Sequence, residues 1–328
     1  MELNKELNEE PNLHLIGLKK IKSINELITM FPTEQSCIEY LEKCRWCGGG
    51  DAVISPYNCF SIVYKCKNGR YKCKETGYYF NVLKGTMLEN TKVPLTKWFT
   101  AIWLVASHKK GISSLQLSRD IHVTQKTAWF MLQRIRKTMG QENATDKIYR
   151  GEVELDETFI GGKNKNRHAS KKVANSQGRS CIDKTPVLGM VQRNGKLIAK
   201  KMQCTSEESI TPLVLKHVMK ETMVYSDEWI GYKKVSKKYH HLFVNHGSKQ
   251  YVNGRIHTNT LEGAWSLLKR GIQGIYHSVS RKHLQRYVDE FVFRYNYRNM
   301  TDDVRFNYLL QSFYSCRLTY ADLKANRR

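Results

Sequence analysis

The sequence has 328 residues, enough for two or three domains with real cores. Lys and Arg total 54 against 30 Asp and Glu, a formal charge of +24, while 41% hydrophobic and 11% aromatic residues exclude a chain held open by charge. No run approaches the roughly 18 apolar residues of a membrane-spanning helix, so no membrane partner is expected and nucleic acid leads as the polyanionic one. Residues 1–11 are acidic and polar without an apolar signal core. Of nine cysteines, five fall between Cys44 and Cys73, which suits reduced or metal-bound thiols better than a secreted disulfide framework. The expected location is cytoplasmic, associated with the nucleoid.

Residues 1–30 read as a polar arm ending in a short helix, and residues 31–90 as a small module. The module has a helix-like run over 34–43, turn chemistry at Gly48-Gly49-Gly50 and Ser55-Pro56-Tyr57-Asn58, and β-patterned pieces at 61–64 and 78–82. Its apolar content is too small to hold it together easily, the situation in which zinc is often recruited. Residues 91–145 are helical: Pro94 opens a helix whose Trp98, Phe99, Ile102, Trp103 and Ala106 share a buried face. Residues 113–129 then predict a short helix, a tight turn at His122-Val123, and a second helix capped by Thr124 and running to about Met139. This is the shape of a helix-turn-helix, with an ordinary helical hairpin as the equal alternative. In the first reading Thr124, Gln125, Lys126 and Thr127 stand where base edges are contacted, and Arg134, with Arg136 and Lys137, suits phosphates.

The pattern turns to β within residues 146–300: strands over 152–156 and 158–160, then 186–192, an Asn194-Gly195 turn, and 197–202. A helix over 207–220, a strand at 223–225, a short helix near 232–239, a strand at 242–245 and a long helix from Asn259 follow. Three antiparallel-type strands, then helix, strand, helix, strand, helix is the order of an α/β ribonuclease H-like domain. Leu284, Tyr287, Val288, Phe291 and Tyr295 mark a further helix packed on the sheet, and residues 301–328 read as a C-terminal tail.

In that order Asp156 ends the first strand, Asp227 follows the strand at 223–225, and Glu262 sits on the first turn of the last core helix. Phosphoryl transfer on DNA uses two hard cations a few ångströms apart, and carboxylates are their natural ligands. Asn259, Glu262 and Lys269 share one face of the helix, so an amide and an ammonium flank the carboxylate. Any one such acid is more simply a cap or a solvated charge; the trio in this order is not. No acid lies between Glu228 and Glu262, where Lys233 and Lys234 stand, nor over 162–182, where Lys163, Lys165 and Arg167 stand. Basic surfaces beside an acidic metal site suit a DNA-processing enzyme. Trp229 and Trp265 read as core, with stacking on a flipped base as the alternative, and His240, His241, His246 and His257 as ordinary polar residues.

Several contiguous motifs resemble the ISXO-like insertion-sequence transposases, relatives of the Merlin elements. They are Lys109-Lys110-Gly111-Ile112-Ser113-Ser114-Leu115, Thr124-Gln125-Lys126-Thr127-Ala128-Trp129, Glu154-Leu155-Asp156-Glu157-Thr158-Phe159-Ile160-Gly161-Gly162-Lys163, Tyr225-Ser226-Asp227-Glu228-Trp229 and Thr258-Asn259-Thr260-Leu261-Glu262-Gly263-Ala264-Trp265 through Lys269. The resemblance covers roughly residues 31–300. It implies a DDE transposase acting on double-stranded DNA, namely the terminal inverted repeats of its element and a target. It further implies a homo-oligomer at synapsis and two Mg²⁺ ions, or Mn²⁺ as a substitute, at Asp156, Asp227 and the Asn259/Glu262 helix. On coordination grounds Glu262 is the expected ligand, with Asn259 orienting water or the carboxylate. The family's zinc ribbon has two Cys-x-x-Cys pairs; here Cys44 and Cys47 form the first, but Thr76 stands where the partner of Cys73 belongs. Cys59 or Cys66 as the completing thiol makes a shuffled zinc site one reading, with Cys44, Cys47, Cys66 and Cys73 as the candidate set, and a metal-free remnant is the other. Two rivals remain from sequence: a DNA-binding regulator on a retained scaffold, and a nuclease without strand transfer.

Overall fold

The computed structural model describes residues 20–46, 53–67, 69–141, 149–162, 164–174, 176, 180–248 and 250–325. They divide into two compact units, one spanning Gly140–Arg298, the other holding the described residues up to Met139 together with those from Asn299 onward.

The first unit is a mixed α/β domain on a five-stranded sheet. Its strands are β4 (Glu152–Ile160), β5 (Thr185–Gln192), β6 (Leu197–Lys201), β7 (Met223–Asp227) and β8 (His240–Val244), in the order β6-β5-β4-β7-β8. The hairpins β4–β5 and β5–β6 are antiparallel, while β4–β7 and β7–β8 are parallel, as their helical crossovers α6 (Glu207–His217) and α7 (Lys233–Ser236) require. Asn194 takes a positive φ of 58° in the β5–β6 turn, the conformation Asn tolerates there. Because side chains alternate, β4 feeds two cores. Val153 and Leu155 join Met190, Ile210, Val214 and Tyr232 on one face. Ile160 joins Val187, Leu261, Ala264, Trp265, Leu268, Val288 and Val292 on the other, beneath α8 (Asn259–Gly271) and α9 (Leu284–Asn296). Helix α9 also covers the outer edge of β6: Asn296 bridges both backbone groups of Leu197, and Gln285 accepts from Lys201 N and donates to Ala199 O. An edge so occupied is closed to pairing with another chain.

The second unit carries α1 (Ile24–Met30), α2 (Glu34–Trp46), α3 (Leu95–Ser107), α4 (Ser114–Asp120), α5 (Gln125–Met139), α10 (Asp302–Gln311) and α11 (Tyr320–Lys324). It also holds an antiparallel sheet of β1 (Val63–Lys65), β2 (Tyr71–Cys73) and β3 (Tyr79–Phe80), whose middle strand the sequence reading lacked. The predicted buried face of α3 is observed, with Phe99 and Trp103 edge-on to Phe306 of α10. Residues 301–325 are therefore packed structure where the sequence was read as a tail: Phe306, Leu309, Leu310, Phe313, Leu318 and Leu323 are all buried. Among the described residues, no helix is long and apolar enough to cross a membrane.

Candidate active site

The parallel ladder between β4 and β7 runs from Glu152–Met223 to Glu154–Tyr225. Asp156 and Asp227 each stand two residues beyond its last pair, so they face the same side at matched positions on neighbouring strands. Asp156 lies within β4 rather than at its end, because pairing with β5 continues through Asp156–Gly189 to Ile160–Thr185. Burial pushes the Asp156 carboxyl up to about 8, with the negative charges of Glu157 and Asp227 adding to it and an N–H from Trp265 opposing. The Trp265 Nε1–H donates to Asp156 Oδ2 at 2.9 Å. Trp265 reaches it by lying across β5 at Gly189, where a Cβ would stand 2.3 Å from Cζ2 of the indole. Only the absence of a side chain at that position lets the ring pass.

The start of α8 is fixed from the sheet. Thr258, the residue preceding the helix, makes no side-chain cap bond; the fully buried Glu154 supplies the cap from β4. Its carboxylate accepts from Thr260 N at 3.0 Å, Leu261 N at 3.3 Å and Thr260 Oγ1 at 2.9 Å. Negative charge at a helix N-terminus is favourable, and here Arg193 Nε, 3.1 Å away, balances it. Arg193 also donates to the carbonyls of Arg255 and His257, tying down the approach to α8. Helix α8 thus meets the strand that bears Asp156 two residues from it.

Glu262 is exposed on the first turn of α8, accepting from Thr258 Oγ1 at 3.3 Å; Asn259 and Lys269 are exposed as well. The close set of metal-ligand atoms among the described residues is a different one: Asp227, Glu228 and His246, all within 4.8 Å of one another. Glu228 is already engaged there, accepting from His246 N at 2.8 Å and Gly247 N at 3.1 Å. Burial raises its carboxyl, but its own backbone N–H and those of His246 and Gly247 outweigh that and leave it below the usual range. Its evident work is to pin the loop after β8. Asp227 is buried and accepts from Trp229 N at 3.1 Å.

The candidate DNA contacts divide. Thr124, Gln125 and Lys126 are exposed at the start of α5, Thr127 is partly so, and Thr124 Oγ1 accepts from Thr127 N as a cap should. Arg134 does not belong with them: it is buried, lies over the Phe130 ring and donates through Nε to Leu318 O. The segment after α10 covers that end of α5, which removes the guanidinium from the surface. Lys165 and Lys233 are exposed, Arg167 lies 3.7 Å from the buried Asp183, and Lys234 lies 3.2 Å from Glu207. Lys163 and Cys47 lie outside the described residues.

Among the described thiols, Cys66 and Cys73 do not come together. Val63 pairs with Cys73, whereas Cys66 N bonds to Arg70 O at the far end of the same hairpin, three residues along the strand. That is about 10 Å, too far for shared tetrahedral coordination. Cys73 instead sits against the Ser61 hydroxyl at 3.0 Å. Trp229 and Trp265 are both bonded into the core side of the domain, as the simpler reading expected: Trp229 Nε1 donates to Thr205 O.

Residues 148–296 match the ISXO2-like transposase domain. The α/β unit is similar to the transposases of that family. Over 283 residues, 81% of this chain and 92% of the relative, the sequence is also 27% identical to an uncharacterized protein in transposable element ISH50 of Halobacterium salinarum. The matched segment coincides with the α/β unit and contains Asp156, Asp227, Asn259, Glu262 and Lys269.

Proposed function

We propose that this chain is the transposase of an insertion sequence, binding the element's terminal inverted repeats and catalysing metal-dependent strand cleavage and transfer into target DNA. The observation that carries the reading is the placement of Asp156 beside Asp227, at matched positions on adjacent parallel strands of a transposase-like domain. Burial first, and then the neighbouring charges of Glu157 and Asp227, raise the Asp156 carboxyl, and a divalent cation offsets both. Oxygen donors suit a hard cation, so Mg²⁺ is the expected ion and Mn²⁺ a substitute. When bound, a pair of such ions supplies Lewis-acid stabilisation to the attacking and leaving oxygens of an in-line displacement.

Asp156, Asp227 and Glu262 would hold the ions. Asn259 orients a carboxylate or a water from the same helical face, and Lys269 meets a phosphate of the reacting strand. Trp265 keeps Oδ2 of Asp156 in one orientation, and Glu154 holds α8 at the height that presents Glu262. The order β6-β5-β4-β7-β8 is compatible with a ribonuclease H-like domain of the DDE type. The helices α4 and α5 are read as a helix-turn-helix that seats Thr124, Gln125, Lys126 and Thr127 on the element end. Lys163, Lys165, Arg167, Lys233 and Lys234 add sequence-independent phosphate contacts. Pairing of two ends implies a homo-oligomer on DNA.

The test is joining of a labelled, pre-cut element end to plasmid in Mg²⁺, for the unaltered chain, Asp227→Asn and Glu262→Gln. Joining that disappears in both variants supports the reading with Glu262 as ligand; joining that survives Glu262→Gln transfers that role to Asn259. End binding with no joining by the unaltered chain contradicts the enzyme reading.

A further inference from the structure

The three-stranded sheet of the small module has two unlike faces. One is core: Tyr71, Cys73 and Phe80 are buried against Trp46, Val53 and Val63. On the other, Tyr64 pairs with Lys72 and Lys72 with Tyr79, so these three side chains form one row across all three strands. Tyr64 and Tyr79 remain 50% and 54% exposed, and Lys72 Nζ lies 5.6 Å from the centre of the Tyr79 ring. Ile62 continues the face and Phe60, at its margin, is 94% exposed.

We propose that this row is a binding surface for unpaired DNA bases, distinct from the duplex contacts assigned to α5. Aromatic surface of this extent is normally covered by a ligand or partner. Charge selects the occupant. Over residues 53–82 the described basic residues are Lys65, Lys67, Arg70, Lys72 and Lys74, against Glu75 alone. That balance repels a second copy of the same face and attracts a polyanion. Tyr64 and Tyr79 are two strand spacings apart, about 10 Å, with the ammonium of Lys72 between them. Two rings can therefore each stack on a base while the lysine meets the intervening phosphate. Stacking tolerates any base, so the surface reads strand state rather than sequence, as suits a flayed or cut DNA end.

The proposal shares with the proposed function only its DNA partner and uses none of the catalytic residues. The experiment is fluorescence anisotropy of the full chain on labelled dT20 and on a blunt duplex of mixed sequence, at several salt concentrations. The double variant Tyr64→Ala/Tyr79→Ala is expected to bind dT20 roughly tenfold or more weakly with duplex affinity unchanged, and Tyr64→Phe/Tyr79→Phe to retain binding. Lys72→Gln is expected to flatten the dT20 salt dependence by about 0.7 in the log–log slope. Circular dichroism checks that the exposed substitutions leave the fold intact. Unchanged dT20 affinity in the Ala variant overturns the proposal, as does sedimentation showing that the same variant splits a dimer of the unaltered chain. Duplex binding without dT20 binding by the unaltered chain sinks this inference alone; binding of neither sinks the DNA reading with it.

Discussion

Trp265 holds Asp156 by a hydrogen bond of 2.9 Å that passes over Gly189, the residue paired with Asp156 on the next strand. Carboxylate, indole and glycine thus form one device. Gly189→Ala places a methyl where the ring lies, and overpacking of this kind costs about 1–3 kcal/mol. The expected result is a lower urea midpoint together with loss of strand joining. Trp265→Phe keeps most of the packing and removes the N–H. It is expected to leave the fold in place and to lower joining and Mn²⁺ affinity together, measured by anisotropy-based joining and calorimetry.

The stability of the metal-free protein is expected to depend on pH through Asp156. Its folded carboxyl titrates near 8, well above the unfolded carboxylate range, so the folded state holds the extra proton at neutral pH. Its contribution to stability is full below the unfolded pKa and is lost as pH rises through 8. Asp156→Asn should therefore raise the melting temperature of metal-free protein at pH 9 by a few degrees and change it little at pH 5. Thermal melts at both values check this; an Asn variant that melts lower at pH 9 contradicts a carboxylate raised by burial and neighbouring charge.

Glu154 should matter for stability and, through α8, for the chemistry. Removing it as Glu154→Ala uncaps α8 and leaves Arg193 facing a cavity, a loss of about 3–5 kcal/mol by analogy with broken buried pairs. Glu154→Gln keeps the shape and can still accept from the helix, so its cost should be smaller, about 1–2 kcal/mol. Denaturant titration of the two variants checks the order.

The two halves of α5 should behave oppositely. Gln125→Ala and Lys126→Ala are each expected to relax discrimination at one base position by about 1–3 kcal/mol, the loss of the ammonium also lowering the salt slope. Arg134→Ala should instead destabilise the helical unit, since its guanidinium is spent on Leu318 O and Phe130. Binding isotherms paired with melts separate the outcomes.

The β5–β6 hairpin was readable because Asn194-Gly195 sits between two apolar runs, and the start of α5 because Thr124 is a good cap before an apolar-periodic stretch. The position of Asp227 was readable for a similar reason, since it ends a short apolar strand, whereas Asp156 was read as a strand end although β4 continues past it to Ile160. What was not readable depends on long-range coverage. Arg134 looks exposed until a segment 184 positions later closes over it. Glu154 looks like one acid among several in β4, although the alternation that points Val153 and Leu155 into one core sends it toward α8. Glu228 and His246 meet only because β7 and β8 are parallel and in register through Asp227–Val244. In the small module the missing middle strand carries Lys72 between buried Tyr71 and Cys73, so its short alternation was masked by the cysteine spacing.

The central claim is that Asp156 and Asp227 together hold a divalent cation. Calorimetric titration of Mn²⁺ into the full chain, compared with Asp156→Asn, Asp227→Asn and Glu228→Gln, tests it most directly. The account predicts binding by the unaltered chain, at least tenfold weaker in either Asp variant and little changed in Glu228→Gln. Affinity that survives Asp156→Asn but collapses in Glu228→Gln would place the ion among Asp227, Glu228 and His246 and contradict the account.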